Sequence, residues 1–400
     1  MKKTLLLAGV MLAALPSTAS AQKVQSGTKN GISYTATSKI VGQTSTGTVA
    51  SGGSPLYLAT NKAGYSGSVG MLMTYSNGAQ FVCSGTLLSD RRSVLTAGHC
   101  VSDGGGQKAA NLVRTQVIFA DDALSLADTS IYSLPAGTTS IDVARYYVNS
   151  KYTGEVIDQN DIAVLKLSEF APSYAQSYGI YTDDLVNGQK FNVNGFGTRS
   201  IVGGAIGTTP PFNAGVGRRR QGDNTYDYAW GDAAFNGFFT DVIDGENFFG
   251  TAEISKSYIS DFDNGIADND TGCRTAAAVG AVAGFGCNLG VGVMEVNIAG
   301  GDSGGAAFIN GLISSVNSYG LTFGAGVGDF RCDPAPGNCL NNSWGEFSGY
   351  VPTNIHKDFI NGAIAAGVPE PATWALMILG FGAVGGEMRR RQAKASVRFA

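Results

Sequence analysis

The sequence predicts an all-β protein rich in turns, and three features of its composition support that fold class. Glycine accounts for 57 of the 400 residues, and only 14% of the residues are charged. An average soluble domain has about 7% glycine and about 25% charged residues. The apolar fraction is 44%, which is enough to build a core. This profile fits strands joined by turns better than it fits a helical bundle.

The charge balance excludes one broad class of partner. The chain has 27 Lys and Arg residues against 31 Asp and Glu residues, which gives a formal net charge of −4. A domain that binds DNA or RNA carries a basic face that neutralises phosphates. We therefore expect no nucleic-acid partner.

The N-terminal residues predict an exported protein. Two lysines precede the apolar residues 5–15, and a following Ala-Ser-Ala offers the small residues after which a signal peptidase cleaves. A membrane helix is the alternative, but about 11 apolar residues are too few for a hydrocarbon core that needs roughly 20. Residues 1–21 are therefore interpreted as a signal peptide. Residues 22–66, rich in Ser, Thr and Gly, are expected to form a flexible or weakly structured leader.

The six cysteines fit an oxidising compartment. Their number is even, and the sequence contains no Cys-x-x-Cys pair of the kind that holds zinc. The expectation is therefore three disulfide bonds and no metal, within a folded domain at residues 67–366.

Two histidines are the only candidates for an imidazole base, and their surroundings differ. His99 follows an apolar strand that ends in small residues, and a cysteine lies beside it. His356 lies in a predicted C-terminal helix at 352–365, where a histidine that only fills the core or the surface is the ordinary case. His99 is therefore the candidate base.

A glycine-rich segment at 299–305 carries the candidate nucleophile, Ser303. A nucleophilic serine needs an exposed Oγ and backbone N–H groups that point at the developing oxyanion, and small neighbours let a substrate carbonyl approach. Gly301 and Ser303 would supply those N–H groups. In so glycine-rich a chain, glycines that serve only a turn are the alternative.

An acid at the start of an apolar strand completes the set. Asp161 directly precedes the apolar residues 162–165, and such a carboxylate can be buried against the Nδ1–H of the base. Asp158 is the competing acid. Asp161 is preferred because the apolar run starts directly after it.

In chain order, the segments around His99, Asp161 and Ser303 resemble the trypsin/chymotrypsin family of serine proteases. The resemblance implies two six-stranded antiparallel β-barrels, at about 67–175 and 176–351, followed by a short C-terminal helix. It also implies a set of disulfide bonds, namely Cys83–Cys100 and Cys273–Cys287, with Cys332–Cys339 as the remaining pair.

The family resemblance implies a serine endopeptidase that acts on proteins or peptides and needs no cofactor. His99 would take the Ser303 proton, Asp161 would orient the imidazole, and the amides of Gly301 and Ser303 would bind the oxyanion. The alternative is a catalytically idle barrel that serves as a cell-surface or extracellular-matrix binding protein.

The same resemblance places four residues against the substrate. Asn297 would lie at the base of the primary pocket, with Ser318, Tyr319 and Gly320 in the strand that lines it. A neutral amide compensates a buried cation poorly, so we expect neutral substrate side chains to be preferred. Glu346 could reach the pocket and restore a negative charge.

The spacings are longer than in the family. His99 and Asp161 are 62 residues apart, and Asp161 and Ser303 are 142 apart, against about 45 and 93 in the family template. Most of the excess is expected at 199–270, which contains an acidic run at 261–265. The ligand spacing of this run does not match an EF-hand loop, so a solvated turn is preferred and a calcium site is the alternative.

Both ends of the chain also resemble processing sites. Lys39-Ile40-Val41-Gly42 resembles the family's activation cleavage site, whose freed Ile40 amine would pair with Asp302. Residues 367–392 resemble the PEP-CTERM sorting signal of exported bacterial proteins, with a Pro-Glu-Pro box, an apolar stretch and an arginine cluster, and residues 393–400 form a tail.

The sorting signal implies particular partners and a location. A signal peptidase and an exosortase-type enzyme would process the chain, which would be anchored transiently in the inner membrane and would end at the cell surface or outside the cell. A plain tail anchor is the alternative.

Overall fold

The computed structural model describes residues 23–29, 31–37, 65–121, 124, 130–208, 211–330, 340–366 and 379–389. Strands dominate these ranges. They are β1 Val24–Lys29, β2 Ile32–Thr37, β3 Ser68–Tyr75, β4 Gln80–Leu87, β5 Ser93–Thr96, β6 Leu112–Ala120, β7 Thr138–Val148, β8 Ala163–Leu167, β9 Gln189–Gly195, β10 Arg220–Tyr226, β11 Tyr228–Ala229, β12 Tyr258–Ser260, β13 Ala306–Ile309, β14 Leu312–Thr322 and β15 Phe347–Pro352.

The helices are short. The α-helices are α1 Thr271–Ala278 and α2 Lys357–Ala365, and residues 379–389 are also helical. The remaining helical turns are of the 3-10 type: Gly98–Cys100, Ile131–Ser133, Ala233–Phe235, Ala267–Asn269, Gly292–Met294 and Asn354–His356.

Strands β3 to β8 close into a six-stranded antiparallel barrel in the order β3-β4-β5-β8-β7-β6. The period-two pattern of β3 explains how one face meets the core: Val69, Met71 and Met73 are buried, whereas Leu72 and Thr74 are partly exposed. Each buried apolar side chain of this kind contributes about 1.5–3 kcal/mol. The barrel therefore gives a firm base to the loops that follow β5 and precede β8.

The second half of the protein is a sheet in the order β10-β9-β13-β14-β15-β12-β11, to which β2 and then β1 are added beside β14. This half barrel, the first barrel and α2 confirm the predicted all-β, trypsin-like fold class. The closed second barrel expected from the sequence is not formed by the described strands. The physical reason is that β11 and β12 have only two and three residues, too few to complete a ladder back to β10.

Helix α2 joins the C-terminal end of the second half to the first barrel. The Lys166 ammonium of β8 donates to the Ile364 carbonyl of α2 at 3.0 Å and pairs with Asp90 at 2.8 Å. Lys166 is buried, so its charge is satisfied by these partners rather than by water. The helix therefore holds the two halves together.

A β-hairpin occupies residues 24–37, so the expectation of a weakly structured leader is wrong for this part. β1 pairs with β2, and β2 pairs antiparallel with β14, with Thr37 opposite Gly320. Tyr34 is buried and packs edge-on against Phe249, with ring centroids 4.8 Å apart. The sequence did not predict this strand because Ser and Thr fill many of its positions, so its apolar alternation is weak.

Two of the three expected disulfide bonds are confirmed. Cys83–Cys100 joins β4 to the 3-10 turn that carries His99, and Cys273–Cys287 closes the segment that begins in α1. Cys332 and Cys339 lie outside the described residues.

Other predicted segments also lie outside the described residues, namely the signal peptide, the activation site at 39–42 and the Pro-Glu-Pro box. Residues 379–389, within the sorting segment, are helical and exposed. Among the helices that are described, none combines the length and the apolar character needed to cross a membrane.

Candidate active site

His99 lies in the 3-10 turn directly after β5, and Asp161 holds it at two points. The His99 backbone N–H donates to Asp161 Oδ1 at 2.7 Å, and the ring Nδ1 lies 2.7 Å from Oδ2. Gly98 allows this approach, since a Cβ there would lie 3.1 Å from Asp161 Oδ1. The acceptor on Nδ1 fixes the proton on that nitrogen and leaves Nε2 as an acceptor.

Asp161 lies two residues before β8 and is 1% exposed. Besides the two His99 donors, Oδ2 accepts the Ser318 hydroxyl at 2.5 Å. Three hydrogen bonds to a buried carboxylate satisfy it and fix its orientation.

Asp158, the competing acid, has a different set of partners. Its carboxylate accepts the backbone N–H groups of Thr153 and Asn160 and the Thr153 hydroxyl, at 2.7–2.9 Å. Burial raises the pKa of Asp158 to about 6. The structure therefore brings Asp161 to His99, while Asp158 ties together the loop before β8.

Ser303 completes the chain of contacts, because its Oγ lies 2.7 Å from His99 Nε2. The serine is 3% exposed and precedes Gly304, whose φ of +82° an L side chain rarely adopts. A Cβ at Gly304 would lie 2.0 Å from Thr96 Oγ1 and 2.4 Å from the Ser84 carbonyl oxygen. Glycine is therefore needed for residues 301–305, here called the nucleophile turn, to pack against the first barrel.

Ser84, in β4, is a positioning residue that sequence reasoning missed. Its hydroxyl donates to the Gly301 carbonyl at 2.9 Å and accepts the Phe196 N–H at 2.9 Å, and its own N–H donates to the Ser303 carbonyl at 2.7 Å. The only signal was a serine directly after Cys83 in an otherwise apolar strand. It joins the first barrel to the nucleophile turn.

The two amides expected to bind an oxyanion lie on this turn. Gly301 has a φ of +106°, and a Cβ there would lie 3.1 Å from the Gly197 Cα. Neither the Gly301 nor the Ser303 N–H donates to an acceptor in the described part of the chain. Both donors are thus left to a ligand.

Asp302, between these two residues, is buried and accepts the Gly197 N–H at 2.5 Å. Burial raises the pKa of Asp302 to about 8, although the Gly197 N–H and the nearby Arg220 act in the opposite direction. Gly195 makes room for this carboxylate, since a Cβ there would lie 2.0 Å from Asp302 Oδ1. The expected amine partner, Ile40, lies outside the described residues.

Asn297, expected at the base of the primary pocket, is 2% exposed. Its Oδ1 accepts the Ile298 N–H at 2.9 Å and the Ser348 hydroxyl, and its Nδ2 has no partner among the described residues. Glu346 is also buried, but its Oε1 accepts the backbone N–H groups of Asn341 and Ser343 at 2.7 and 3.2 Å. One oxygen is thereby held by its own loop, whereas the buried Oε2 has no partner in the described residues, and burial raises the pKa of the carboxyl.

The strand expected to line the pocket is the distal part of β14. Ser318 lies at a bulge and contacts Asp161 as described above. The Tyr319 side chain is buried in the core, where its hydroxyl bonds Trp230 Nε1 at 2.8 Å and Ser257 Oγ at 2.7 Å. Any substrate contact at Tyr319 would therefore be made by its backbone. Gly320 has space beside it, since a Cβ there would meet its nearest atom at 3.8 Å.

His356 is structural, as its sequence context indicated. Its Nε2 donates to the Gln159 carbonyl at 2.7 Å, and its Nδ1 lies 3.1 Å from Asn149 Nδ2. Burial lowers the pKa of His356.

The acidic run is buried, so the interpretation as a solvated turn is wrong. Asp261, Asp263 and Asp270 are each at most 5% exposed, and one carboxylate oxygen from each lies within 4.8 Å of the others. Cys83, His99 and Cys100 are also close together, but the two cysteines are joined in a disulfide and offer no thiolate to a metal.

Comparison with known proteins agrees with this topology. Residues 60–212 match the model of the trypsin family, a stretch that includes His99 and Asp161 and ends before Ser303. The described topology and this match define a trypsin-like fold of the serine protease type. A solved structure of HL collagenase is similar to the chain, with 14% identity, coverage of 76% of this chain and 95% of that chain, and a TM-score of 0.41. No curated protein matches the chain.

Proposed function

We propose that this protein is an exported serine endopeptidase that cleaves peptide bonds through an acyl-enzyme formed on Ser303. One observation carries the proposal: a continuous chain of contacts runs from Asp161 through His99 to Ser303, with both links at 2.7 Å. The trypsin family match, which covers the segments of His99 and Asp161, supports the same activity.

The first half of the reaction forms the acyl-enzyme. Ser303 Oγ attacks the substrate carbonyl while His99 Nε2 takes its proton, and the Asp161 carboxylate stabilises the imidazolium. The oxyanion receives the N–H groups of Gly301 and Ser303, and one such donor is worth about 10²–10³ in kcat. His99 then donates its proton to the leaving amine.

The second half repeats these roles with water. His99 removes a proton from a water molecule that attacks the ester carbonyl, and the same two amides hold the second oxyanion. Collapse of this intermediate returns the proton to Ser303 Oγ and releases the carboxylic acid product.

The substrate class follows from Asn297. Its oxygen already accepts two hydrogen bonds, whereas its Nδ2 donor has no partner in the described residues. A donor at the base of a pocket opposes a cation, and the carboxyl of Glu346, one oxygen of which is held by its own loop, has a pKa raised by burial, which favours its neutral form. Peptides with neutral side chains before the cleaved bond are therefore the proposed substrates.

Export is proposed from both ends of the chain. The signal peptide and the PEP-CTERM-like segment imply processing by a signal peptidase and an exosortase-type enzyme, with transient membrane association and a final place at the cell surface or outside the cell. The two disulfide bonds of the described residues suit an oxidising compartment.

Peptide hydrolysis by four purified proteins tests the activity: wild type, Ser303→Ala, His99→Ala and the control His356→Gln. Ser303→Ala and His99→Ala should each lower kcat by about 10⁴-fold or more, while circular dichroism shows that both proteins stay folded. His356→Gln should keep kcat within tenfold, since the His356 ring bonds Gln159 and Asn149 and contacts none of His99, Asp161 and Ser303. Equal activity in wild type and Ser303→Ala would favour the alternative of a binding protein.

A further inference from the structure

Five buried carboxylates lie close together in the second half of the protein. This acid cluster comprises Asp227, Asp261, Asp263, Asp270 and Glu295, each at most 5% exposed. None of the five forms an ion pair within the described residues. Burying even one unpaired carboxylate is costly, so this arrangement must either take up protons or hold a counter-charge.

The spacing of the oxygens suits a single ion. One oxygen from each of Asp261, Asp263 and Asp270 lies within 4.8 Å of the other two. Ca²⁺ binds oxygens at about 2.3–2.6 Å, so two ligands on opposite sides of the ion are about 5 Å apart. The three oxygens can therefore contact one cation without a change in the backbone.

A second observation points to a missing ligand. Asp263 Oδ1 accepts the Gly265 N–H at 2.6 Å, but its buried Oδ2 receives no donor from the described residues. Glu295 repeats this pattern: its Oε2 accepts the N–H groups of Asp263 and Asn264 at 2.8 and 3.0 Å, whereas no described donor reaches its buried Oε1. Buried oxygens without partners are rare in native proteins.

The electrostatics of the cluster agree with this geometry. Burial raises the pKa values of all five groups, and neighbouring carboxylates add to this shift for Asp227, Asp261, Asp270 and Glu295. Ionising them together is unfavourable unless a cation is bound.

We propose that the acid cluster binds one Ca²⁺, with Asp261, Asp263 and Asp270 as direct ligands and Glu295 completing the negative shell. The donors are all oxygen atoms, which suits a hard cation rather than zinc or copper. Ca²⁺ is favoured over Mg²⁺ because the oxygens are buried, and Mg²⁺ usually keeps several of its waters.

A cation bound at this site would stabilise residues 295–297, which lead to the base of the proposed primary pocket. Val296 donates its N–H to the Asp223 carbonyl at 3.2 Å, and its carbonyl accepts Asn224 Nδ2 at 2.9 Å. Glu295 lies two residues before Asn297. A cation that holds Glu295 therefore stabilises the chain at the base of the pocket.

Calorimetric titration of the chelator-treated full chain with CaCl₂, alongside thermal melting, tests the site. Wild type should bind one Ca²⁺ per chain and melt at a higher temperature when Ca²⁺ is present. Asp263→Asn should bind Ca²⁺ roughly tenfold or more weakly. The matched control is Asp268→Asn, in the same segment, because the Asp268 side chain is 97% exposed; its affinity should stay within about twofold of wild type.

Two results would overturn the proposal. One is a wild-type protein that gives neither binding heat nor a melting shift with Ca²⁺ after chelation. The other is an equal loss of affinity in Asp263→Asn and Asp268→Asn. If Asp263→Asn does not fold, Glu295→Gln takes its place, and the wild-type titration decides by itself. A larger response to MgCl₂ than to CaCl₂ would also contradict the choice of ion.

The N-terminal hairpin supports a second inference, because it occupies one edge of β14. β15 covers the opposite edge. Along the edge that faces away from β15, β13 pairs first, then Gly304 and Gly305 of the nucleophile turn exchange hydrogen bonds with Asn317 at 2.9 Å, and finally β2 pairs with Gly320 to Thr322. Because β2 is antiparallel to β14, Thr37 is its residue nearest the nucleophile turn.

We also infer, on the basis of the proposed function, that β2 holds the edge on which an extended peptide substrate would pair. Peptides commonly bind by adding a strand to a sheet edge, and that edge must be free. The hairpin is fastened by the Tyr34 hydroxyl and Gln25 Nε2, which both donate to the Phe249 carbonyl, and by Lys23, which donates to the Gly154 carbonyl at 2.8 Å. The leader therefore competes with peptide substrates.

Tyr34→Ala in the full chain tests this competition, with Thr28→Ala on the exposed part of the same hairpin as control. Two rates are compared: hydrolysis of an extended peptide, and labelling by a small fluorophosphonate that needs no strand pairing. Tyr34→Ala should raise kcat/KM for the peptide severalfold and leave the labelling rate unchanged, whereas Thr28→Ala should change neither.

The possible failures are distinguishable. Equal peptide kcat/KM in wild type and Tyr34→Ala, with both proteins labelled, overturns the inference about β2. A similar rise in Thr28→Ala also overturns it, because docking of Tyr34 would not be the cause. Absence of labelling in every protein instead overturns the proposed function.

Discussion

At the level of single residues, Asp161 determines the geometry of the site. It accepts the backbone N–H and the ring Nδ1 of His99 and the hydroxyl of Ser318, all at 2.5–2.7 Å. Hydrogen bonds to a charged group contribute about 1.5–3 kcal/mol each. The imidazole therefore has one orientation, in which Nε2 faces Ser303.

Ser84→Ala should weaken both stability and catalysis. The substitution leaves the buried Phe196 N–H without an acceptor and the Gly301 carbonyl without a donor, so the free energy of unfolding should fall by about 1–3 kcal/mol. Since Gly301 would also supply an oxyanion amide in the proposed mechanism, kcat should fall more than KM changes. Urea denaturation and steady-state kinetics measure the two effects. Ser168→Ala, an exposed serine, is the control.

Asp302→Asn should change how stability depends on pH. The folded-state pKa of Asp302, about 8, lies above its ordinary value of 3.8. Between about pH 4 and pH 8 the unfolded chain therefore loses a proton that the folded protein keeps, so the free energy of unfolding falls as pH rises. The amide cannot ionise. The unfolding free energy of the variant minus that of wild type should therefore increase over this range in urea titrations. A difference that is flat or decreasing would contradict the burial of this carboxyl.

At the level of elements, two turns with positive φ have different needs for glycine. Gly304 (φ +82°) would place a Cβ 2.0 Å from Thr96 Oγ1, whereas Gly311 (φ +78°), in the turn between β13 and β14, has open space. Gly311→Ala should cost about 1–2 kcal/mol, because only backbone strain is added. Gly304→Ala should cost more and abolish activity. Similar melting temperatures for the two variants would show that the contact with the first barrel is unimportant.

Elements that carry their own local signal could be predicted from the sequence. β3, β4, β5 and β8 have short apolar runs, and the segments of His99, Asp161 and Ser303 combine chemistry with small residues that let the loops approach. The hairpin β1–β2 gave no such signal, because Ile32 and Tyr34 are its large core-facing residues in a stretch of Ser and Thr.

Burial that depends on distant segments could not be predicted. The acid cluster gathers Asp227, Asp261, Asp263, Asp270 and Glu295 from separate parts of the chain, so the run 261–265 alone resembled a solvated turn. The expected closure of the second barrel failed for a similar reason, since it depends on how β11 and β12 pair rather than on any local motif.

At the level of the whole molecule, the candidate site forms where the two halves meet. The first barrel supplies His99 and Asp161, the second sheet supplies Ser303 and Ser318, and Ser84 connects the two through the nucleophile turn. Neither half contains a complete set. The activity proposed here should therefore be lost whenever the halves separate, even if each keeps its strands.

Labelling by a fluorophosphonate, followed by peptide mass spectrometry, tests the central claim most directly. The reagent reacts with a serine whose Oγ is activated by a neighbouring base. The expected result is one adduct per folded chain, located on Ser303 and absent from His99→Ala. A wild-type protein that is folded but gains no adduct, or gains it on another residue, would contradict the assignment of Ser303 as the nucleophile.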